Sequence, residues 1–173
     1  MKERGIAKAR NLGARKSSGE VLLFLDADVI LREDFIENVV EKFKDKKIVG
    51  VCGCVKTYGS LINRFVFYLC SEITWFFSKI GKPAFYGMCM AWRKDVFNSV
   101  GGFNENLATA EDIDFTKKAR RKGSCIVGRD LKAITSPRRI AGMGLVRAIN
   151  FHFFNFLRYK ILKRSKEDYV VVR

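Results

Sequence analysis

Acidic residues are the scarce component of this 173-residue chain: 18 Asp and Glu stand against 33 Lys and Arg, a formal net charge of +15. The deficit is uneven. From Thr116 onward only Asp130, Glu167 and Asp168 oppose a long series of Lys and Arg, so the C-terminal third carries most of the positive field. Such an excess favours an anionic partner: nucleotide phosphates, an acidic membrane surface or nucleic acid. No nucleic-acid-binding motif accompanies it, which sets nucleic acid aside. His152 is the single histidine and is read as packing within its helix. Cys-x-x-Cys spacing is absent. Cys52, Cys54, Cys70, Cys89 and Cys125 lie in apolar runs, which fits reduced, buried thiols of a cytoplasmic protein better than zinc ligands or disulfides. No run reaches the roughly 18 apolar residues of a transmembrane helix. The basic N-terminus lacks the apolar core of a signal peptide. Internal repeats and low-complexity segments are missing as well.

What is present is the composition of a globular protein, 48% hydrophobic and 29% charged. A single domain is the default at this length, with roughly 70% of the unfolded surface available for burial. Periodicity predicts helices over 2–16, 32–44, 61–80, 94–100, 111–122 and 144–162, and strands over 21–25, 48–55, 88–92, 125–127 and 132–135. The aromatics between 61 and 77 are read as core. Segment 61–80 is too polar to span a bilayer but apolar enough to touch one. Residues 136–139 read as a basic turn.

Two acidic stretches carry the chemistry. The first is Glu-Val-Leu-Leu-Phe-Leu-Asp-Ala-Asp over 20–28. Its unbroken apolar run suits a strand buried on both faces of a parallel sheet, with Asp26 and Asp28 at the carboxyl end, where ligands of open α/β sheets bind. Paired carboxylates there are costly without a cation, and hard divalent ions take one or two carboxylates plus substrate phosphates. A plain turn with a capping Asp is the competing reading. The second stretch is Glu111-Asp112-Ile113-Asp114. Thr109 followed by Asp112 fits a capping box, which accounts for the acids structurally. Alternatively Asp112 is a general base whose pKa the helix dipole lowers.

Taken in order, Ala9-Arg10-Asn11-Leu12-Gly13, Phe24-Leu25-Asp26-Ala27-Asp28, Phe85-Tyr86-Gly87, Arg93-Lys94-Asp95-Val96-Phe97, Val100-Gly101-Gly102-Phe103-Asn104-Glu105 and Glu111-Asp112-Ile113-Asp114 resemble glycosyltransferase family 2. The resemblance runs from Ile6 to about Arg139. It implies a GT-A fold: a mixed, mostly parallel sheet flanked by helices. It also implies inverting transfer from a nucleotide-diphospho-sugar to an acceptor hydroxyl or phosphate, on a glycan or a lipid-linked acceptor. Asp26 and Asp28 would form the DxD motif holding Mg²⁺ or Mn²⁺, and Asp112 would be the base. Glu111 would contact the acceptor or steady the base, and Gly87 would let the backbone approach the sugars. Arg138 and Arg139 match a basic loop that closes over the diphosphate, with a solvated turn as the alternative. Arg10 could face the phosphates, although a surface role on a basic helix fits its neighbours better.

The departure from the family is that its opening strands, which hold the nucleotide base, have no counterpart here. The 21–25 strand would lose its neighbour and leave an apolar edge. Residues 1–140 are therefore expected to be the C-terminal portion of such a catalytic domain, with a partner supplying the missing strands or the chain being an inactive or split subunit. Residues 141–173 form a basic, aromatic helix and tail, suited either to an anionic membrane surface on the inner face of the cell membrane or to packing on the sheet. A haloacid-dehalogenase-type phosphatase, with Asp26 as nucleophile and Val29 following, is the rival enzyme.

Overall fold

The structure, a computed structural model, describes residues 5–162. Residues 1–4, residues 163–173 and the side chains of Arg139 and Ala141 lie outside the described residues. The expected role of Arg139, and the basic tail after Leu162, therefore fall outside them.

In chain order the elements are α1 (Ile6–Lys16), β1 (Val21–Leu25), β2 (Val29–Leu31), α2 (Phe35–Lys42), β3 (Ile48–Thr57), α3 (Leu61–Lys79), β4 (Cys89–Arg93), α4 (Lys94–Ser99), α5 (Glu111–Ala119), β5 (Ser124–Thr135), α6 (Arg138–Met143) and α7 (Leu145–Leu162). The strands form one five-stranded sheet in the order β1-β4-β3-β5-β2. It is mixed and flanked by helices, as expected, but it is not mostly parallel. Only β3 and β5 run parallel; β1–β4, β3–β4 and β2–β5 are antiparallel. The apolar run of β1 misled because both faces are covered. Leu22 and Phe24 sit in one core layer, while Val21 and Leu23 pack against the other. Coverage on both faces gives a continuous apolar run whatever the direction of the neighbours. Among the described residues, the only neighbour of β1 is β4, and its other edge is open.

The first layer is built on Trp92, whose ring meets Phe85 and Phe115 at centroid distances of 5.0 and 4.8 Å. Gly50 lies directly beneath it. A Cβ there would fall 2.1 Å from the indole, so only glycine fits this strand position. The second layer sets Phe35 and Val39 of α2 and its C-cap residue Phe43 against Val51, Val55, Leu131 and Ala133.

Five local readings change. The 125–127 and 132–135 strands are one strand, β5, with an irregularity opposite Gly53–Cys54. The 136–139 turn starts α6. Short β2 had no sequence signal of its own. Helix α5 is not capped by Thr109: its N-cap is Ala110, in the left-handed region at φ 64°, with no side-chain cap. Of the cysteines, Cys70 is exposed rather than buried; all five are free.

Candidate active site

Helix α1 carries the pair that assembles the site. Asn11 is buried, and its amide donates to the carbonyl of Phe103 at 2.9 Å and to Glu105 Oε1 at 2.8 Å. The Phe103 N–H donates back to Asn11 Oδ1 at 2.9 Å. This locks α1 to the Gly101-Gly102-Phe103 loop, where Gly102 has φ 68° and a Cβ would meet Asn11 Oδ1 at 2.8 Å. The preceding residue, Arg10, is thereby aimed at the sheet end.

Arg10 is not a surface residue: its side chain is 12% exposed. Nη1 donates to Glu111 Oε1 at 2.5 Å. Nη2 donates to Asp26 Oδ1 at 2.9 Å and to the Gly87 carbonyl at 2.8 Å. A Cβ on Gly87 would lie 2.7 Å from both guanidinium nitrogens, so the side of Gly87 that a side chain would occupy is filled by Arg10. The Gly87 N–H in turn donates to Asp112 Oδ2 at 2.6 Å, and Ile113 N–H donates to Asp112 Oδ1 at 2.8 Å. The two acidic stretches thus meet in one site, joined by a guanidinium that lies 16 residues from one and 101 from the other.

The remaining placement follows from the turn after β1. Asp26 N–H donates to the Met88 carbonyl and Val29 N–H to the Asp26 carbonyl, both at 3.1 Å. The turn leads into β2, whose Val29 pairs with Thr135 at the end of β5. Asp28 therefore sits beside the start of α6, where Arg138 approaches its Oδ2 to 3.1 Å. Tyr86 anchors the other side. Its hydroxyl donates to the Gly53 carbonyl at 2.7 Å and accepts from Val55 N–H at 3.2 Å, filling the irregularity in β3.

The electrostatics differ from the dipole-based expectation. Burial pushes Asp112 upward, against the lowering influence of the Ile113 N–H, Arg10 and the Gly87 N–H. Glu111 is pushed up to about 7, first by burial and then by the neighbouring Asp112, with Arg10 opposing. The helix terminus is outweighed because both carboxyls are withdrawn from water. A carboxyl shifted toward neutrality is a stronger base when ionised than a solvated Asp.

The carboxylates of Asp26 and Asp28 leave two oxygens for a cation. Arg10 takes one oxygen of Asp26 and Arg138 one of Asp28. Oδ2 of Asp26 and Oδ1 of Asp28 have no protein hydrogen bond among the described residues. Two hard oxygen donors, partly exposed, fit an ion that completes its shell with water and phosphate. Among the described residues no group of three or more His, Cys, Asp and Glu gathers as a closed protein cage, which such an ion does not need.

Of the residues singled out from sequence, the structure brings together Arg10, Asp26, Gly87, Glu111 and Asp112, with Asp28 and Arg138 paired next to them. Sequence reasoning missed Asn11 and Glu105 as the frame. Their signal was present in the Asn of Ala-Arg-Asn-Leu-Gly and the Glu of Gly-Gly-Phe-Asn-Glu.

A family model described as "Glycosyl transferase family 2" matches residues 1–101. Among curated proteins, "Glycosyltransferase AglE" of Haloferax volcanii is 29% identical over 125 residues, covering 70% of this chain and 40% of the relative. An "Uncharacterized glycosyltransferase" of Haemophilus influenzae is 30% identical over 129 residues, covering 69% and 42%. Among solved structures, the mannosyltransferase PcManGT of Pyrobaculum calidifontis, in complex with GDP-Man and Mn²⁺, superposes with a TM-score of 0.60 at 24% identity over 90% of this chain and 44% of that one. GalNAc-T7 with UDP, GalNAc and Mn²⁺ gives 0.58 at 16% identity, covering 76% and 30%. These likenesses establish a partial GT-A fold. The chain spans about two fifths of the length of the curated relatives it matches.

Proposed function

Since this chain belongs to glycosyl transferase family 2, we propose that residues 1–140 form the metal- and acceptor-side portion of a nucleotide-diphospho-sugar transferase, working by inversion. The reading is carried by the Arg10 bridge, which gathers Asp26, Glu111 and Gly87, with Asp112 held on the Gly87 N–H.

Asp26 and Asp28 would hold Mg²⁺ or Mn²⁺, which when bound supplies Lewis-acid stabilisation to the departing diphosphate. The two Mn²⁺-bound neighbours support a divalent ion of this kind. Asp112 accepts the proton of the acceptor hydroxyl. The freed oxygen pair attacks the anomeric carbon as the bond to the diphosphate breaks, and the electrons of that bond leave with the nucleoside diphosphate. The Gly87 and Ile113 N–H groups fix the orientation of the Asp112 carboxylate, which is the positioning an in-line attack requires. Glu111 steadies the base region and contacts the acceptor. Arg138, with Arg139 beside it in sequence, exchanges its contact with Asp28 for the donor diphosphate. The acceptor we propose is a glycan or a lipid-linked hydroxyl or phosphate, with the protein peripheral to an anionic membrane on its cytoplasmic side. The test is Asp112→Asn. It should spare metal-dependent donor binding and remove transfer; retained turnover excludes Asp112 as the base.

A second feature qualifies this activity. The free edge of β1 borders a cavity of about 320 Å³ lined by Arg10, Gly13, Ser17, Leu22, Leu23 and Phe24. We propose that a strand from outside the described residues, on this chain or a partner, pairs there and completes the nucleotide pocket. The described part alone would then act as a weak or inactive subunit. The phosphatase alternative has no counterpart for the bridge: Asp26 as nucleophile would be tied to Arg10, and the family assignment leaves it without support.

A further inference from the structure

Helix α3 rests Phe67 and Trp75 against the core but leaves most of its other large apolar side chains outside it. Of its 19 residues only Ser71 is buried. The sheet-facing side is held by polar and aromatic contacts. The Ser71 hydroxyl donates to the Val55 carbonyl at 3.0 Å, Glu72 pairs with Arg129, and Arg129 stacks on Trp75 at 3.6 Å. The aromatics expected in the core are mostly outside it. Leu61 is 78% exposed, Phe65 62% and Phe76 55%, and Ile62, Leu69, Ile73, Phe77 and Ile80 are also exposed. At about 100° per residue these positions share one half of the helix circumference. Each such side chain offers on the order of 100 Å² or more, whereas the largest apolar patch of a soluble monomer is about 300–600 Å².

Charge decides what covers this face. Arg64 and Lys79 lie on α3 itself, Lys56 and Lys82 lie a few residues before its start and after its end, and the one acid of α3, Glu72, is taken by Arg129. An exposed apolar face with cations on the helix and beyond both its ends, and its one acid paired, matches an in-plane helix at an anionic bilayer, with apolar side chains among the acyl chains and cations among the headgroups. No helix among the described residues is long and apolar enough to cross a membrane, so this face lies on the bilayer rather than through it. We infer that α3 docks the protein on an anionic lipid surface, with Phe65 and Phe76 as its central anchors. The inference extends the membrane-peripheral reading above by naming the element. Vesicle binding is scored without any sugar transfer, so its failure is distinguishable from failure of the transferase reading.

The test uses the full chain and vesicles of phosphatidylcholine with phosphatidylglycerol in equal parts, against phosphatidylcholine alone. Wild type should sediment with the mixed vesicles and less with the neutral ones. Phe65→Ser with Phe76→Ser should lower binding about tenfold or more, and Arg64→Ala with Lys79→Ala should lower it on the mixed vesicles only. Cys70, the one exposed cysteine among the five, gives a readout independent of these variants. An environment-sensitive dye there should shift to the blue when mixed vesicles are added to otherwise wild-type protein. No sedimentation of wild type, no shift of the Cys70 dye, or undiminished binding by the folded Phe65/Phe76 variant overturns the proposal. So does self-association in solution that this variant abolishes while vesicle binding is absent, since the face would then belong to a second copy.

Discussion

At the scale of single residues, Arg10 is the pivot. Its three contacts need a planar fork: one nitrogen serves a carboxylate, and the other serves a second carboxylate and a carbonyl. A lysine keeps the charge and loses the fork. Arg10→Lys should therefore cut transfer about tenfold or more, and Arg10→Ala should also lower stability by about 3–5 kcal/mol, since it strands Glu111 without its partner. Steady-state kinetics and urea unfolding of the two variants separate these effects. Glu111 sets a pH dependence whose sign can be worked out. Its carboxyl rises from 4.5 to about 7 on folding. Between those values the folded protein retains a proton that the unfolded chain has released, so this contribution to stability is full below about 4.5, falls as pH rises and is level above about 7. Urea midpoints across this window should show the decline, and Glu111→Gln should flatten it. Asp112, shifted the same way, should make transfer rise with pH. The motif containing Arg10 was legible in the sequence, but the role was not. On a helix rich in Lys and Arg nothing local distinguishes the one guanidinium that points inward; its partners lie in β4 and α5.

At the scale of elements, the helix start that presents Glu111 and Asp112 is built against local preference. Ala110 takes φ 64°, ψ 18°, a conformation that costs an L-residue with a Cβ about 1–2 kcal/mol. Ala110→Gly should relieve this and raise stability by about 1 kcal/mol or somewhat less, because glycine gains freedom in the unfolded chain. Thermal melting of the variant checks it; an unchanged or lower midpoint would show that the backbone there is not strained. The capping box expected at Thr109 is absent because a helix whose first-turn acids are drawn to Arg10 and the Gly87 N–H cannot also adopt the cap geometry. Element by element, most helices and strands were legible from periodicity. Those that were not depend on distant pairing: β2 exists only against β5, and β5 is continuous only because β3 runs beside it. The same dependence explains α6, whose Arg138 meets Asp28 across the sheet end. That pair is 60% exposed on the arginine side and contributes little to stability. Arg138→Ala should leave the unfolding free energy within about 1 kcal/mol of wild type while weakening donor affinity, measured by calorimetry with metal and nucleotide-sugar.

At the scale of the whole molecule, the sheet of the described residues ends at β1 on an apolar edge, the edge for which the sequence led to the expectation of an unpaired strand. What the sequence could not convey was the direction of the pairings that remain, since β4 enters between β1 and β3 after a long helical excursion. The edge itself has a readable polarity. Glu20 accepts from Lys94 N–H at 2.8 Å and Asp26 N–H donates to Met88, so even-numbered positions of β1 bond to β4 and odd-numbered ones face the open side. Leu23 is on the open side. Proline there removes no hydrogen bond to β4 but denies a donor to any added strand. Supplying the proposed pairing strand in trans, or joined to the chain, should tighten nucleoside-diphosphate binding about tenfold or more, since strand pairing would wall the cavity beside Arg10. Leu23→Pro should lose that gain while the described part stays folded, as judged by far-ultraviolet circular dichroism. Equal affinity with and without the added strand would mean that the donor is held by the Asp26, Asp28 and Arg138 end alone, and that the open edge of β1 has some other use.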